Sequence, residues 1–308
     1  MKYLVGIDGG GTKTKCAVAD FKGNIIFETT GGPSNFLVYG LDKVSETIFL
    51  LLEDCCKNLN CQFEDFIFIV LGSAGAGRTE DAENLEKHFL NYSKSKQASI
   101  KNFKVVSDAR IALEGAFSGR PGSILISGTG SIMFGKDSRG EIHRVGGFGR
   151  FIGDEGSGYS IGRKALKEVS KFYDGRGKST LITTLIANHF GINNSEKLIN
   201  AVYKNNFDIA SVAEHVIYAA KKDDQACKKI IDEETDELIF HIQAMKEKLK
   251  QEVLEISFSG SIITNDNFFS NMLTKKINET FKDVKIKEPE NHPVMGAIII
   301  AKELLNKI

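Results

Sequence analysis

The chain has no excess charge of either sign: forty lysines and arginines offset forty aspartates and glutamates. Binding nucleic acid or an anionic membrane surface calls for a basic footprint that this balance does not supply, so neither partner is expected. Long apolar runs are missing too. None approaches the about 20 residues that a membrane-spanning helix requires, and the run at 294–301 is interrupted by Gly296 and suits a buried helix. Residues 3–7 lead directly into Asp8, too short and too soon charged for a signal peptide, so a cytoplasmic location is expected. Cysteine is scarce, with five residues at 16, 55, 56, 61 and 227. No Cys-x-x-Cys occurs and no histidine lies near 55–61, so the ligand spacing of structural zinc is absent and the thiols read as reduced and partly buried.

What is present is an ordinary folding composition, 42% hydrophobic and 26% charged over 308 residues. At ~150 residues per domain that length points to two domains, each able to bury its own core. Residues 3–7, 15–20 and 24–29 read as strands, followed by a helix at 42–57 with Val44, Ile48, Leu51, Leu52 and Cys55 on one stripe. The apolar run 66–71 reads as a strand buried on both faces, with a helix at 79–91, a strand at 103–107 and a helix at 109–117. After Pro121-Gly122 the pattern restarts with strands at 124–127, 132–136 and 141–145. A long helix follows near 223–250, then a strand at 254–258 and helices at 266–281 and 293–306.

The two halves repeat. A shift of 117 residues superposes Ile7 on Ile124, Gly11 on Gly128, Thr12 on Thr129, Asp20 on Asp137, Gly23 on Gly140 and Ile25 on Ile142. Identities that fall on turns and core positions at one offset predict two like strand–turn–strand units facing a cleft.

The repeated turns are rich in glycine. Gly9-Gly10-Gly11-Thr12 and Gly128-Thr129-Gly130-Ser131 each join two strands, where successive N–H groups can cradle phosphate oxygens and the threonine hydroxyl adds a donor. Asp8 would repel a phosphate unless a divalent cation bridges the two, which makes it a candidate Mg²⁺ residue acting through water. The first turn is not a P-loop, because Thr12 precedes Lys13 and a strand follows instead of a helix. A Rossmann turn would need a third glycine and a helix. A third cluster, Gly146 to Gly158, holds six glycines in thirteen residues with Phe148, Arg150, Asp154 and Glu155 among them, a composition suited to a hydroxylated ligand. Asp108 ends a strand and begins a helix. It is either an N-cap or a ligand-facing carboxylate, and Ser107 beside it is able to take the capping role. Ser259-Gly260-Ser261 follows another strand and suits the wall of a base pocket.

This set of motifs resembles the actin-like ATPase and sugar-kinase superfamily, and within it the BadF/BadG-type ATPase and N-acetylglucosamine kinase family, from Leu4 to about Leu304. The resemblance implies an α/β fold of two actin-like, ribonuclease H-like domains with a deep interdomain cleft, residues 1–118 plus 291–308 forming one and 119–290 the other. It implies ATP and Mg²⁺ as cofactors. Asp8 would serve the metal, Gly11, Thr12 and Lys13 the first phosphate loop, Gly128 and Thr129 the second, and Ala210 and Gly260 the nucleoside. Asn35, Phe36, Gly147, Phe148, Gly149 and Asp154 would contact an amino sugar, and Asp108 would be the catalytic base taking a proton from its 6-hydroxyl. Phe148 stands where related kinases often carry tryptophan, which would open room for the 3-lactyl group of N-acetylmuramic acid, with Arg150 offsetting its charge. N-acetylglucosamine and N-acetylmuramic acid are the expected substrates. The alternatives are glucosamine, or an activator-type ATPase switch without a sugar. A homodimer is left open.

Overall fold

The first two strands are almost continuously apolar and buried on both faces, and the period of two along a strand decides which side of the sheet each side chain enters. The computed structural model describes residues 1–307 and divides them into two compact units, Met1–Gly122 with the segment from Glu288 onward, and Ser123–Lys287. In the first unit β1 (Tyr3–Gly9), β2 (Thr14–Ala19), β3 (Ile25–Gly31), β4 (Phe66–Ser73) and β5 (Phe103–Ser107) form one sheet, in the order β3-β2-β1-β4-β5. β2 runs antiparallel to β1 and β3, whereas β4 is parallel to both β1 and β5. Val5, Ile7, Cys16 and Val18 point into one buried cluster, and Leu4, Ala17 and Ala19 into another on the opposite face. Helices α1 (Phe36–Tyr39), α2 (Leu41–Leu59), α3 (Thr79–Ser95) and α4 (Asp108–Ala116) connect the strands, with a 3₁₀ turn at Phe63–Asp65.

The second unit repeats this plan. Its strands β6 (Gly122–Ser127), β7 (Ser131–Lys136), β8 (Ile142–Gly146), β9 (Leu254–Ser259) and β10 (Val284–Lys287) take the order β10-β9-β6-β7-β8, the same connectivity read from the other edge. The sequence shift of 117 carries β2 onto β7 and the first residue of β3 onto the first residue of β8. It also carries over the turn chemistry. Asp20 Oδ1 accepts from the N–H groups of Lys22 and Asn24 at 2.8 and 2.9 Å, and Asp137 Oδ1 accepts from Arg139 and Glu141 at 2.9 and 2.9 Å. Inserted after β8 are α5 (Gly158–Tyr173), α6 (Leu181–Phe190), α7 (Ser195–Lys204), a 3₁₀ turn at Ile209–Ser211, α8 (Val212–Lys221) and α9 (Gln225–Leu249). The helix expected at 266–281 is α11 (Phe268–Thr280), started by Asn267, whose side chain accepts from the N–H groups of Phe269 and Ser270, and a short helix, α10 (Ser261–Thr264), precedes it. Strand β10 had no sequence signal: its four residues, Val-Lys-Ile-Lys, are too few to show a period.

The last helix, α12 (Pro293–Leu305), returns to the first unit. Val294, Ala297, Ile298 and Ala301 are buried there with Leu4, Val70 and Ile111. The approach is close enough to require glycine. A Cβ at Gly296 would overlap the Ile111 carbonyl and lie 2.6 Å from the Gly115 nitrogen, and one at Gly115 would lie 2.8 Å from the His292 carbonyl oxygen. Gly296→Ala is expected to force α12 off α4 at a cost of about 1–3 kcal/mol, read as a lower denaturant midpoint at unchanged slope. A midpoint equal to wild type would show that the contact is looser than described.

Candidate functional site

In the first unit the register sets the site. Asp8 pairs with Gly72, Gly9 with Ser73, and Ser73 with Ser107, so the parallel strands β1, β4 and β5 finish level and open their connections on one edge. That carboxyl edge is where open α/β sheets present groups to ligands. Ser107 caps α4 by accepting from the Arg110 N–H at 3.1 Å. Asp108 is thereby released from capping: it is exposed, and one carboxylate oxygen accepts from the Ala109 N–H at 2.8 Å. Asp8 is half-buried beside it. Burial pushes the Asp8 carboxyl above its ordinary range and the charge of Asp108 adds to this, against the pull of Lys15 and Lys13. Two hard carboxylates whose mutual repulsion a cation would relieve fit a magnesium ion.

The glycine turn follows Asp8. Gly10 donates to the Lys13 carbonyl at 3.2 Å and accepts from the Ser34 N–H at 3.0 Å, while Gly11, Thr12 and Lys13 are exposed. Beneath it the buried Thr14 hydroxyl lies 2.7 Å from both the Gly32 carbonyl and the Ser34 hydroxyl. Asn35 caps α1 through its side-chain oxygen, accepting from Leu37 at 3.1 Å, which leaves its amide nitrogen as the group open to a ligand. The Phe36 ring is buried in the core, so this residue holds the loop and does not present its ring to solvent.

In the second unit the predicted nucleotide residues converge on the start of α5. A Cβ on Gly128 would lie 3.9 Å from the Gly260 Cα, and one on Gly158 would lie 3.1 Å from the Gly128 carbonyl oxygen and 3.3 Å from that of Ala210. The first N–H groups of α5 are occupied: Gly158 donates to the Gly128 carbonyl at 2.8 Å and Tyr159 to that of Thr129 at 3.2 Å. Both turn carbonyls therefore face the protein, and the exposed Thr129 keeps its hydroxyl outward. Asp154 joins the third glycine cluster to this turn. It accepts from the Gly149 N–H at 3.2 Å and would block a Cβ at Gly130, 2.9 Å away. The chain around it is bent through left-handed backbone, with φ of 69° at Gly147, 88° at Gly149 and 60° at Asp154 itself. Burial raises the Asp154 carboxyl, opposed by N–H groups from Gly149 and Ser131. Phe148 stands apart, 70% exposed, with the Arg144 guanidinium 5.6 Å from its ring centroid. Phe151, Arg150 and Tyr159, by contrast, line a cleft of about 760 Å³ with Thr129 and Asp154.

Glu234 has no counterpart among the expected residues. It is fully enclosed on α9, accepting from the Gly156 N–H at 2.5 Å and the Ser160 hydroxyl at 2.8 Å, and pairing with Lys164 at 2.9 Å. It ties the third glycine cluster to the start of α5. In the sequence it lies within Asp-Glu-Glu-Thr-Asp-Glu, which reads as a solvated face. Lys164 is 31% exposed and keeps Glu233 as a partner. The main cost of Glu234→Ala is therefore the lost buried acceptor for Gly156 and Ser160, about 1–3 kcal/mol of unfolding free energy in a denaturant titration. A loss below ~1 kcal/mol would show that water replaces the carboxylate.

Comparison with known proteins agrees with these features. The model of the BadF/BadG/BcrA/BcrD ATPase family matches residues 5–301. The N-acetylmuramic acid/N-acetylglucosamine kinase of Clostridium acetobutylicum is 36% identical, with 98% of this chain and 99% of that protein aligned. The N-acetyl-D-glucosamine kinase of Dictyostelium discoideum is 28% identical over 97% and 98% of the two chains. A crystal structure from Chromobacterium violaceum, assigned as an N-acetylglucosamine kinase, shares the fold with a TM-score of 0.72 at 22% identity, covering 98% of this chain and 99% of its own. The chain belongs to the BadF/BadG/BcrA/BcrD ATPase family.

Proposed function

We propose that the protein transfers the γ-phosphoryl group of ATP to the 6-hydroxyl of an N-acetylated amino sugar, N-acetylglucosamine or N-acetylmuramic acid, in the cytoplasm. The observation that carries this is Asp108: an exposed carboxylate on the carboxyl edge of the sheet, relieved of capping by Ser107 and set beside a glycine turn and a second carboxylate. The names of the aligned Clostridium and Dictyostelium kinases support the substrate class. Residues 1–118 with 291–308, and 119–290, are taken as the two actin-like domains of such a kinase.

Phosphoryl transfer passes through a loose transition state, so the protein's work is positioning and charge neutralisation. Bound magnesium, held through Asp8, would neutralise charge on the phosphates. Thr12 and Thr129 donate their hydroxyls to phosphate oxygens, and Ala210 and Gly260 flank the nucleoside. The Asn35 amide and Asp154 hold the sugar, with backbone from Gly147 to Gly149. Asp108 accepts the proton of the 6-hydroxyl as its oxygen bonds to phosphorus. A switch ATPase carrying an iron–sulfur cluster needs cysteine ligands, and no cysteine falls in the later glycine-rich loops of this chain.

An ADP-release assay over N-acetylglucosamine, N-acetylmuramic acid, glucosamine and glucose tests the reading, with kcat/KM highest for the N-acetylated sugars. Asp108→Asn keeps shape but removes the base, and should reduce kcat by ~10²–10⁴-fold with sugar and ATP affinities held. Turnover within a few-fold of wild type would remove Asp108 from the mechanism.

Thr12→Ala and Thr129→Ala should each weaken ATP more than sugar, by about 1.5–3 kcal/mol for a hydrogen bond to a charged oxygen. Titration calorimetry that finds wild-type ATP affinity in both variants would contradict the paired phosphate loops.

A further inference from the structure

One face of α9 holds both ends of the third glycine cluster. Glu234, Leu238 and His241 follow one another at spacings of four and three residues, so they line up along the same side of the helix. At the far end of the loop Glu234 accepts from the Gly156 N–H, and a Cβ on Gly156 would overlap Leu238 Cγ. At the near end β8 finishes at Gly146, opposite Ile132, and a Cβ there would overlap His241 Nε2 and lie 2.7 Å from its Cδ2. Both glycines are left-handed, with φ of 69° at Gly146 and 77° at Gly156. Between these two fixed points Phe148, Arg150, Phe151 and Ile152 are all exposed. The base of the loop is clamped and its crest is in solvent.

His241 is the member of this face that the mechanism leaves without a task. It is 7% exposed, and its Nδ1 donates to the Glu237 carbonyl one turn back at 2.7 Å. A carbonyl only accepts, so this bond places the hydrogen of the neutral ring on Nδ1 and fixes the ring plane. Nε2 is then a bare lone pair, enclosed and without a partner among the described residues. A buried polar atom left unpaired costs stability, and an aliphatic side chain would fill the same space without that cost. What the imidazole supplies instead is shape: a narrow ring, pinned at one edge and carrying no hydrogen at the other, against which the Gly146 backbone lies close. That wall sets the direction in which the chain leaves β8 for Gly147, Phe148 and Gly149. Resting on the kinase reading above, which gives those residues and Asp154 to the sugar, we infer that His241 is a positioning residue. It fixes the base of the loop, and through it the sugar contacts, without touching the sugar.

The test uses His241→Ala, Ile239→Ala, Gly146→Ala and the double variant of Gly146 and His241. His241→Ala should raise the KM for the sugar about tenfold, with kcat and the KM for ATP within about twofold of wild type. Ile239→Ala removes buried packing from another side of α9 and should leave the sugar KM at its wild-type value, which separates positioning from lost stability. Gly146→Ala meets both backbone strain and the imidazole. The strain is common to both backgrounds, so Gly146→Ala should harm the sugar KM less in the His241→Ala protein than in the wild type. Trypsin adds a readout that needs no turnover: the exposed Arg150–Phe151 bond should be cut about tenfold faster in His241→Ala than in wild type or Ile239→Ala. A wild-type sugar KM in His241→Ala, an equal rise for sugar and ATP, or strict additivity with Gly146→Ala would overturn the positioning role. So would an Ile239→Ala protein that behaves as His241→Ala does. A wild-type protein that phosphorylates no sugar would overturn the kinase reading instead, and the trypsin comparison then decides whether His241 fixes the loop, equal rates of cleavage showing that it does not.

Discussion

Parallel pairing without stagger between β1, β4 and β5 is the constraint from which the first unit's chemistry follows. Strands that finish level must send their connections out on the same edge, and here those connections are the glycine turn after β1, the loop from β4 into α3 and the start of α4 after β5. The helix start needs a cap, and a single residue cannot cap and act on a ligand with the same oxygen. Ser107 takes the first duty and Asp108 is left with the second. Moving the cap one residue along the chain would keep the helix and lose the exposed carboxylate.

The two units share a strand order and a turn geometry but support their glycine turns differently. Below the first, a buried hydroxyl pair, Thr14 and Ser34, holds the loop. Under the second, the N–H groups of α5 are spent on the turn's own carbonyls, and a buried glutamate secures the segment leading into the helix. The difference follows from what comes next in the chain. Two strands follow each turn, but after them comes the four-residue α1 in the first unit and the sixteen-residue α5 in the second, which offers backbone donors at its start. Helix N-termini commonly receive anions. Here the first turn of α5 is already satisfied, and the outward groups are those of Thr129 and its neighbours.

Much of this was legible before any coordinates. The offset of 117 residues located both meanders, because an Asp–Gly hairpin turn imposes the same hydrogen bonds wherever it recurs and so preserves its residues. Ser107 and Asp108 were legible as a pair with two roles, though only the geometry assigns which serves which. Glu234 was hidden, since a carboxylate in an acidic run looks solvated until the fold encloses it. Where the rings of Phe148 and Phe151 point was hidden in another way. Backbone of left-handed sign at Gly147, Gly149 and Asp154 decides where each ring in this loop points, and no periodicity encodes that sign. The sequence marked Phe148, but Phe151 is the ring that lines the cleft.

Electrostatics separates the tasks of the two units. The first presents two carboxylates in one another's field, with Asp8 raised by burial and by Asp108. Each charge makes the other harder to hold, so a bound cation or a proton would stabilise the pair. The second places arginines and aspartates together in one cleft without pairing the arginines. Water alone satisfies an exposed guanidinium at little cost, so unpaired arginines are not remarkable by themselves. Arg150 differs in lying against two rings, 5.1 Å from the centroid of Phe151 and 5.7 Å from that of Tyr159. Ordering a long side chain costs conformational entropy, and that cost is met in advance when aromatic faces already fix it. A guanidinium held in this way loses less on meeting an anion than a free one does.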